Sequence, residues 1–523
     1  LEALDVRFEL NDGRLRYSAP KGAMKPEFLV RLKTQRDAVI KLLAERQQGV
    51  FSGAEEPIPV LPRGGGLPLS SAQQRLWFLD QLEGGHTSTY NMPPVVLRLE
   101  GPLDVDALQR TLDEIVQRHE VLRSAFRIGD DEPVQVPMEA VRVPMPFADL
   151  RALDPEAQQV EVDRIAREQA ETPFDLQSGN ALIRVDLLQL GSEEHVFALT
   201  MHHIISDGWS IGVLVREFAS LYERFSSGRE SDLQPLPIQY ADYAAWERTR
   251  LSGAAGQPHR QYWKDQLAGA PDVLELPADH PRPKVQNYRG HTEYARFSPE
   301  LTSSLKRFCN EVGVTPYMAM LSAYAVLLSR YALQEEVVIG TPTAVRPHAQ
   351  TENLIGLFLN TLPLRIDLSG DPSFSTLLER VRPTALNAME HAELPLEEML
   401  GELAIERSTE HAPLFQVLFG LLNAPSDPVQ LAGLKITPLP PQNLYAVYDL
   451  VLNMEETENG MEGRLRGNSD LFEPTTLARM AKHYEALVGA MVATPDMPVA
   501  QIPLLSAEER AELAAWSRPQ DVL

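Results

Sequence analysis

The stretch Met201-His202-His203-Ile204-Ile205-Ser206-Asp207-Gly208-Trp209-Ser210 constrains this chain more than any other. Before it, His195-Val196-Phe197-Ala198-Leu199-Thr200 is an apolar run of strand length. After it, Ile211, Leu214, Val215, Phe218, Leu221, Tyr222 and Phe225 recur at helical spacing, which predicts a helix with Ser210 as its N-cap. Two histidines therefore fall where a buried strand gives way to a loop, and Asp207-Gly208 supplies the turn. Neighbours on a strand point to opposite faces, so a strand that runs to its end turns only one of the two into a given cavity. Histidine is the usual side-chain base near neutral pH. A His pair at a strand end is equally well a satisfied structural pair, and these residues alone do not separate the readings.

A length of 523 residues fits roughly two to four domains. With 44% hydrophobic and 23% charged residues, the composition is that of a soluble globular protein. No long uninterrupted apolar run is present, so no membrane span is expected. No signal peptide stands at the start, although the chain begins at Leu1 without Met. The single cysteine, Cys309, rules out an intramolecular disulfide and a metal site built on several thiolates, and it fits a reducing, cytoplasmic setting. A net charge of −25 argues against nucleic-acid binding. Residues 1–50 nevertheless carry 10 Lys/Arg against 7 Asp/Glu, so a slightly basic head precedes an acidic body. That asymmetry suggests an acidic partner for the head, although so small a surplus also arises by chance.

Residues 1–47 read as a small independent unit. Val6-Arg7-Phe8-Glu9-Leu10, the turn Asn11-Asp12-Gly13 and Leu15-Arg16-Tyr17 form a β-hairpin pattern. Pro26-Glu27 then opens a helix. So small a core suits a recognition module better than an enzyme. Residues 48–68 read as a linker, broken by Pro57, Pro59, Pro62, Gly64, Gly65, Gly66 and Pro68. The body divides at the polar break Ser226–Pro237 into 69–235 and 236–523. In the second part, helices are predicted at 300–312, 315–331 and 475–493, and strands at 336–343, 361–368, 414–422, 447–455 and 463–468. Strands and helices alternate in both parts, so the class is α/β or α+β.

Seven motifs then stand in order: Ser71-Ala72-Gln73-Gln74-Arg75-Leu76-Trp77, Arg118-His119-Glu120-Val121-Leu122-Arg123, Met201 to Ser210, Tyr240-Ala241-Asp242-Tyr243-Ala244-Ala245-Trp246, Ile355-Gly356-Leu357-Phe358-Leu359-Asn360-Thr361, His391-Ala392-Glu393-Leu394-Pro395-Leu396-Glu397 and Pro413-Leu414-Phe415-Gln416-Val417. Together they resemble the signatures of the condensation domains of nonribosomal peptide synthetases, over about residues 69–510. The head, through Gly13-Arg14-Leu15-Arg16-Tyr17-Ser18-Ala19-Pro20-Lys21-Gly22, resembles the TubC-type N-terminal docking domains. The resemblance implies two chloramphenicol-acetyltransferase-like lobes in a V-shaped pseudo-dimer, with a tunnel between them, plus a small αββα-type docking domain. It implies that donor and acceptor carrier proteins deliver thioesters on phosphopantetheine arms, with no bound cofactor and no metal. An amide forms when the acceptor amine attacks the donor. It also implies an upstream subunit whose acidic C-terminal tail adds to the hairpin, with Arg7, Arg14 and Arg16 as the charged candidates, and an adenylation domain downstream. Neither nucleic acid nor membrane is an expected partner.

Residue by residue, the resemblance assigns proton handling or amine positioning to His203 and support to His202. It gives Asp207 a loop-holding ion pair with Arg346, and Gly208 a tight turn, close substrate approach and a backbone N–H toward the oxyanion. Ser206, Trp209, Ser210, Asn360 and Tyr448 are expected along the tunnel, with loop fixing as the other reading of Asn360. Arg75, Trp77, Asp242, Tyr243 and Trp246 read as core and helix-packing residues. Ala392-Glu393, Leu396, Val345 and the aromatic run Leu444–Asp449 depart from the family pattern. They leave room for a starter subtype that transfers a fatty acyl group from coenzyme A or an acyl carrier. A catalytically inactive recruitment platform is the rival that is not an enzyme, and the intact His203, Asp207 and Gly208 argue against it. An epimerase relative shares the motif but follows a carrier protein, and cyclisation domains replace the first His by Asp.

Overall fold

The computed structural model describes residues 56–85, 87–130, 132–231, 233–284, 288–403, 411–422, 431, 433–439 and 445–516, together with the backbone of the strands Arg7–Asn11 and Arg14–Ser18. The helix expected from Pro26 and the first part of the expected linker lie outside these residues. The chain separates into two compact units, Leu1–Pro59 and Val60–Leu523.

In the first unit the two strands pair antiparallel, with Arg7 opposite Ser18, Glu9 opposite Arg16 and Asn11 opposite Arg14. This is the hairpin the alternating pattern predicts.

In the second unit, the first half builds a five-stranded sheet. Its order is Lys435–Pro438, Val95–Glu100, Glu194–Met201, Ile183–Gly191 and Phe147–Asp149. Every residue of Glu194–Met201 after the first is buried, which is why it reads as a continuous apolar run. The helices Val105–Arg118, Pro155–Glu171 and Gly208–Ser227 accompany this sheet in sequence. The second half builds a six-stranded sheet ordered Gly290–Phe297, Gly460–Asn468, Leu450–Thr457, Val417–Leu422, Glu336–Ala344 and Leu359–Asp367. The helix Pro316–Ala332 is buried at every residue from Met318 to Leu328, so it is apolar all round and forms the centre of the larger core. Its bounds lie within a residue of the predicted helix at 315–331.

Two features depart from the sequence reading. Residues 60–68 belong to the body. Leu67 is buried, Leu67–Pro68 pairs with Val134 and Gln135, and Arg63 grips the Asp242 carboxylate with two nitrogens at 2.8 and 2.9 Å. Proline and glycine break helices and long strands, but they permit a short extended segment anchored by one arginine. Second, the halves are not sequential blocks. Lys435–Pro438, from far into the second half, completes the first sheet by pairing antiparallel with Val95–Glu100. Four residues with one apolar position carry too little periodicity to be seen in sequence.

Candidate functional site

The strand Glu194–Met201 stops one residue before the histidines, and His203–Ile205 forms a single 3-10 turn. The turn separates the pair more completely than strand alternation would. His202 is fully buried, its Nδ1 accepts from Ile204 N–H at 3.1 Å, and Phe174 meets its ring edge-on at 6.2 Å. Burial, with the neighbouring His203 adding, pushes His202 down to about 3, so it is neutral. His203 Nδ1 lies 2.7 Å from the Ser206 carbonyl. A carbonyl only accepts, so Nδ1 carries the hydrogen and Nε2 holds the lone pair. The His203 ring lines a cavity of about 650 Å³.

The helix that follows starts three residues earlier than the one expected after a Ser210 cap would, with Gly208 as its first residue and Asp207 as its N-cap. Asp207 Oδ1 accepts from Ser210 N–H at 2.8 Å. Oδ2 accepts from Phe358 N–H at 2.9 Å and lies 3.4 Å from Arg346 Nη1. Arg346 also donates to Ser210 Oγ and to the Leu354 carbonyl, both at 3.2 Å, and its guanidinium sits 4.0 Å over the Phe358 ring. Burial pulls the Arg346 pKa below its ordinary value against the opposing pull of Asp207. The Ser210 hydroxyl is taken instead by the Gly356 backbone, donating to the carbonyl at 2.8 Å and accepting from the N–H at 3.1 Å. Gly356 is a glycine for space: a Cβ there would stand 1.9 Å from the Tyr240 ring. One carboxylate thus caps a helix of the first half and clamps a loop of the second.

Of the residues expected along a tunnel, only Asn360 shares the cavity with His203. Its amide is fully engaged, donating to the Ala392 and Leu394 carbonyls and accepting from Thr361 and Leu396 N–H, so it fixes the loop 391–396 as well. Ser206 and Ser210 are fully buried and do not line the cavity. Trp209 is exposed, and its indole N–H donates to the Glu352 carbonyl at 3.2 Å. Tyr448 stacks on Phe415 at 5.6 Å and reaches toward Arg75 with its hydroxyl. These four side chains are occupied by the chain's own contacts. Gly208 does not sit in a strained turn: it has no positive φ and begins a regular helix, with open space within 4 Å of where a Cβ would be.

Arg75 and Tyr243 read from sequence as packing residues, and Glu247 belongs to no motif, yet all three stand on the cavity wall. Arg75 Nε stands 3.2 Å from Glu397. Burial opposes its charge, but Glu397 and then Tyr448 outweigh burial and raise its pKa. Tyr243 and Glu247 lie one helical turn apart, and Tyr243 donates to Glu247 Oε1 at 3.0 Å. A signal for Glu247 is present, because Tyr240, Tyr243, Ala244 and Glu247 share one helix face and an acid ends that buried stripe. Asp242 is a packing residue, as its sequence context suggests, although it packs through charge, by pairing with Arg63.

The model of the condensation-domain family matches residues 64–514, and the model of the TubC N-terminal docking domain matches residues 1–45. The chain belongs to the condensation-domain family, the amide-forming acyltransferases of nonribosomal peptide synthesis, and carries a TubC-type docking domain ahead of it. Among curated relatives, it is 43% identical over 467 residues to chondramide synthase cmdD of Chondromyces crocatus, covering 89% of this chain and 12% of that protein. It is 41% identical over 472 residues to malpinin synthetase of Mortierella alpina, covering 90% of this chain and 6% of that one. The chain therefore spans only a small part of these relatives. Among solved structures, the X-domain from teicoplanin biosynthesis superposes with a TM-score of 0.79 at 28% identity, covering 86% of this chain and all of that one. The two sheets described above are the two lobes of this chloramphenicol-acetyltransferase-like fold. Among the described residues, no single helix is long and apolar enough to cross a membrane.

Proposed function

We propose that this chain forms an amide by bringing a carrier-bound aminoacyl acceptor to a donor acyl or peptidyl thioester at His203. The observation that carries the reading is the Nδ1–H···O bond from His203 to Ser206, which leaves Nε2 as the basic nitrogen of a ring on the cavity wall. A thioester is already activated, so no protein nucleophile is required, only orientation and proton handling. His203 Nε2 takes the proton that the amine nitrogen sheds as the carbon–nitrogen bond forms. The carbon–sulfur bond breaks, and the proton passes to the departing thiolate. Asp207 and Arg346 act at one remove by fixing the turn and the helix start. Gly208 leaves its surroundings open to an approaching thioester, and its backbone N–H, at the first helical position, is the donor we assign to the oxyanion.

The polar lining favours an aminoacyl or peptidyl donor. Arg75, Asn360, Thr361, Glu393 and Glu397 all border the His203 cavity. The apolar space of about 570 Å³ between the first sheet and the Gly208–Ser227 helix shares no lining residue with it. A starter reaction calls for an apolar pocket at the reacting group, since each buried methylene contributes about 0.8 kcal/mol.

In this reading residues 1–47 dock an acidic tail of an upstream subunit, the five-stranded and six-stranded sheets with their helices are the lobes, with Lys435–Pro438 crossing into the first, and an adenylation domain follows in a cytoplasmic synthetase. The test is to mix the chain with loaded donor and acceptor carriers and weigh the products. Amide from aminoacyl or peptidyl donors, with none from fatty acyl donors, supports the proposal. A steep rise with fatty chain length moves the chain to the starter class, and no amide with any donor makes it a recruitment platform.

A further inference from the structure

Three carboxylates, Glu247, Glu393 and Glu397, line the His203 cavity, a fourth, Glu398, acts on Glu247 from nearby, and arginines pair with all of these but Glu247. Arg250 donates to Glu393 at 2.8 Å, Arg75 lies 3.2 Å from Glu397, and Arg260 bonds Glu398. Among the described residues, no lysine, arginine or histidine pairs with Glu247. Neutral donors hold it instead: Tyr243 O–H bonds Oε1 at 3.0 Å and Ser71 N–H bonds Oε2 at 2.9 Å. Each oxygen accepts one such bond and keeps a further lone pair. The carboxyl is thus pinned at both ends on the wall of the cavity that His203 lines, without a counter-charge.

We propose that Glu247 is the acceptor-amine residue of this site: its carboxylate receives the α-ammonium of the incoming acceptor and takes one proton from it. The inference rests on the amide-forming reading above. An α-amino group is mostly protonated near neutral pH, and an ammonium has no lone pair with which to attack. In the step proposed here, an ammonium and a carboxylate become a neutral amine and a carboxylic acid, and no bond to the donor changes. The amine then attacks the thioester carbonyl, and His203 handles the second proton.

The groups facing Glu247 suit this task. Burial pushes its carboxyl up to about 7, with Glu398 and Glu397 adding, while Ser71 N–H and Tyr243 O–H act the other way. That places its proton affinity close to that of an α-ammonium, where transfer in either direction is easy. Arg75 is committed to Glu397 and Arg250 to Glu393, so neither cation neutralises Glu247 beforehand.

The test uses the full chain and a non-hydrolysable acceptor probe, alanyl-aminopantetheine amide, beside its N-acetyl form. The wild-type protein should bind the free-amine probe at least tenfold more tightly than the acetylated one at pH 7.5. Glu247→Gln should abolish that preference, and Glu247→Asp should retain part of it. Lowering the pH from 8 to 6 protonates Glu247, so the wild-type preference should shrink while Glu247→Gln stays flat. Equal wild-type affinity for the two probes, or an undiminished preference in Glu247→Gln, overturns the assignment. So does equally tight binding of a lysyl probe acetylated only at its α-nitrogen. Should Glu247→Gln not fold, Glu247→Asp and the wild-type pH titration decide. His203→Ala separates the two readings: it should lose turnover and keep the preference. A preference without amide formation in the wild type defeats the amide-forming reading alone. Amide formation with an unchanged acceptor KM and pH profile in Glu247→Gln defeats the Glu247 assignment alone.

Discussion

His202 and His203 are adjacent in sequence, yet one turn of backbone gives them opposite tautomers. His202 accepts a backbone N–H at Nδ1, so its hydrogen is on Nε2, in a fully buried site beside Phe174. His203 donates from Nδ1 to a backbone carbonyl, so its lone pair is on Nε2, on a cavity wall. The 3-10 turn His203–Ile205 and its C-cap set these states, by offering the Ile204 N–H to one ring and the Ser206 C=O to the other. The lesson is that a base can be prepared by chain direction alone, provided the turn cannot shift. What stops it shifting is the Asp207 clamp, so the comparison is broken most severely there.

Asp207→Ala removes one half of a buried pair and leaves Arg346, Phe358 N–H and Ser210 N–H short of their acceptor. Stripping a buried arginine of its partner costs about 3–5 kcal/mol. The expected result is a lowered Tm together with lost amide formation. Asp207→Ala with Arg346→Met should recover part of the Tm without the activity, because the cap and the Phe358 bond stay missing. An unchanged Tm in the single variant would refute the clamp.

His203→Ala tests the other side of the comparison. The ring is half-buried, so its removal should leave the fold and Tm intact and slow amide formation about 100-fold or more. Near-normal turnover with a slow amine acceptor would remove the proton-handling role and leave His203 as a wall residue.

Much of this is legible in the sequence because it is local. The strand before the histidines and the helix after them follow from residue spacing, and the run Met318–Leu328, apolar but for Ser322, marks the helix Pro316–Ala332. Where sequence and structure part, long-range competition is the reason. Asp207 and Ser210 are both good caps, and Asp207 wins because Gly356, 146 residues away, claims the Ser210 hydroxyl. Arg75 and Tyr243 look like packing residues because helical spacing reports a face without saying whether another lobe or a cavity lies against it. Ser206 and Ser210 neighbour His203 in sequence, which suggests a place along the tunnel, but the end of the turn buries the first and the start of the helix buries the second.

A smaller effect sharpens the comparison through pH. His202 ionises at about 6.5 in an unfolded chain and at about 3 when folded, because burial disfavours its cation. Its neutral form is the native one, so the contribution is fully present above about pH 6.5 and is lost as the pH falls toward 3. His202→Asn keeps an acceptor for Ile204 N–H and cannot protonate. Its Tm should fall less steeply than that of the wild type between pH 6.5 and 4, with activity at pH 7.5 reduced far less than in His203→Ala. Parallel Tm curves would show that His202 is not the group lost in acid.

The smallest expected effect lies in the head, where the contrast is between a site built on one turn and a surface built on alternation. Backbone register sets Arg7 opposite Ser18, Glu9 opposite Arg16 and Asn11 opposite Arg14, so three arginines and one acid fall at alternate positions of the two strands. An acidic tail adding to this hairpin would gain main-chain bonds that ignore salt and charge contacts that do not. Exposed charge pairs contribute about 0.2–1 kcal/mol each, so reversing Arg14 and Arg16 should weaken binding of an acidic peptide by roughly tenfold at low salt and by little at high salt. Glu9→Gln should strengthen it slightly, because it removes the acid paired in register with Arg16. Fluorescence anisotropy with a labelled acidic C-terminal peptide across a salt series measures all three. Binding that ignores salt, or that Glu9→Gln weakens, would mean that the hairpin reads its partner by shape and apolar contact instead of charge.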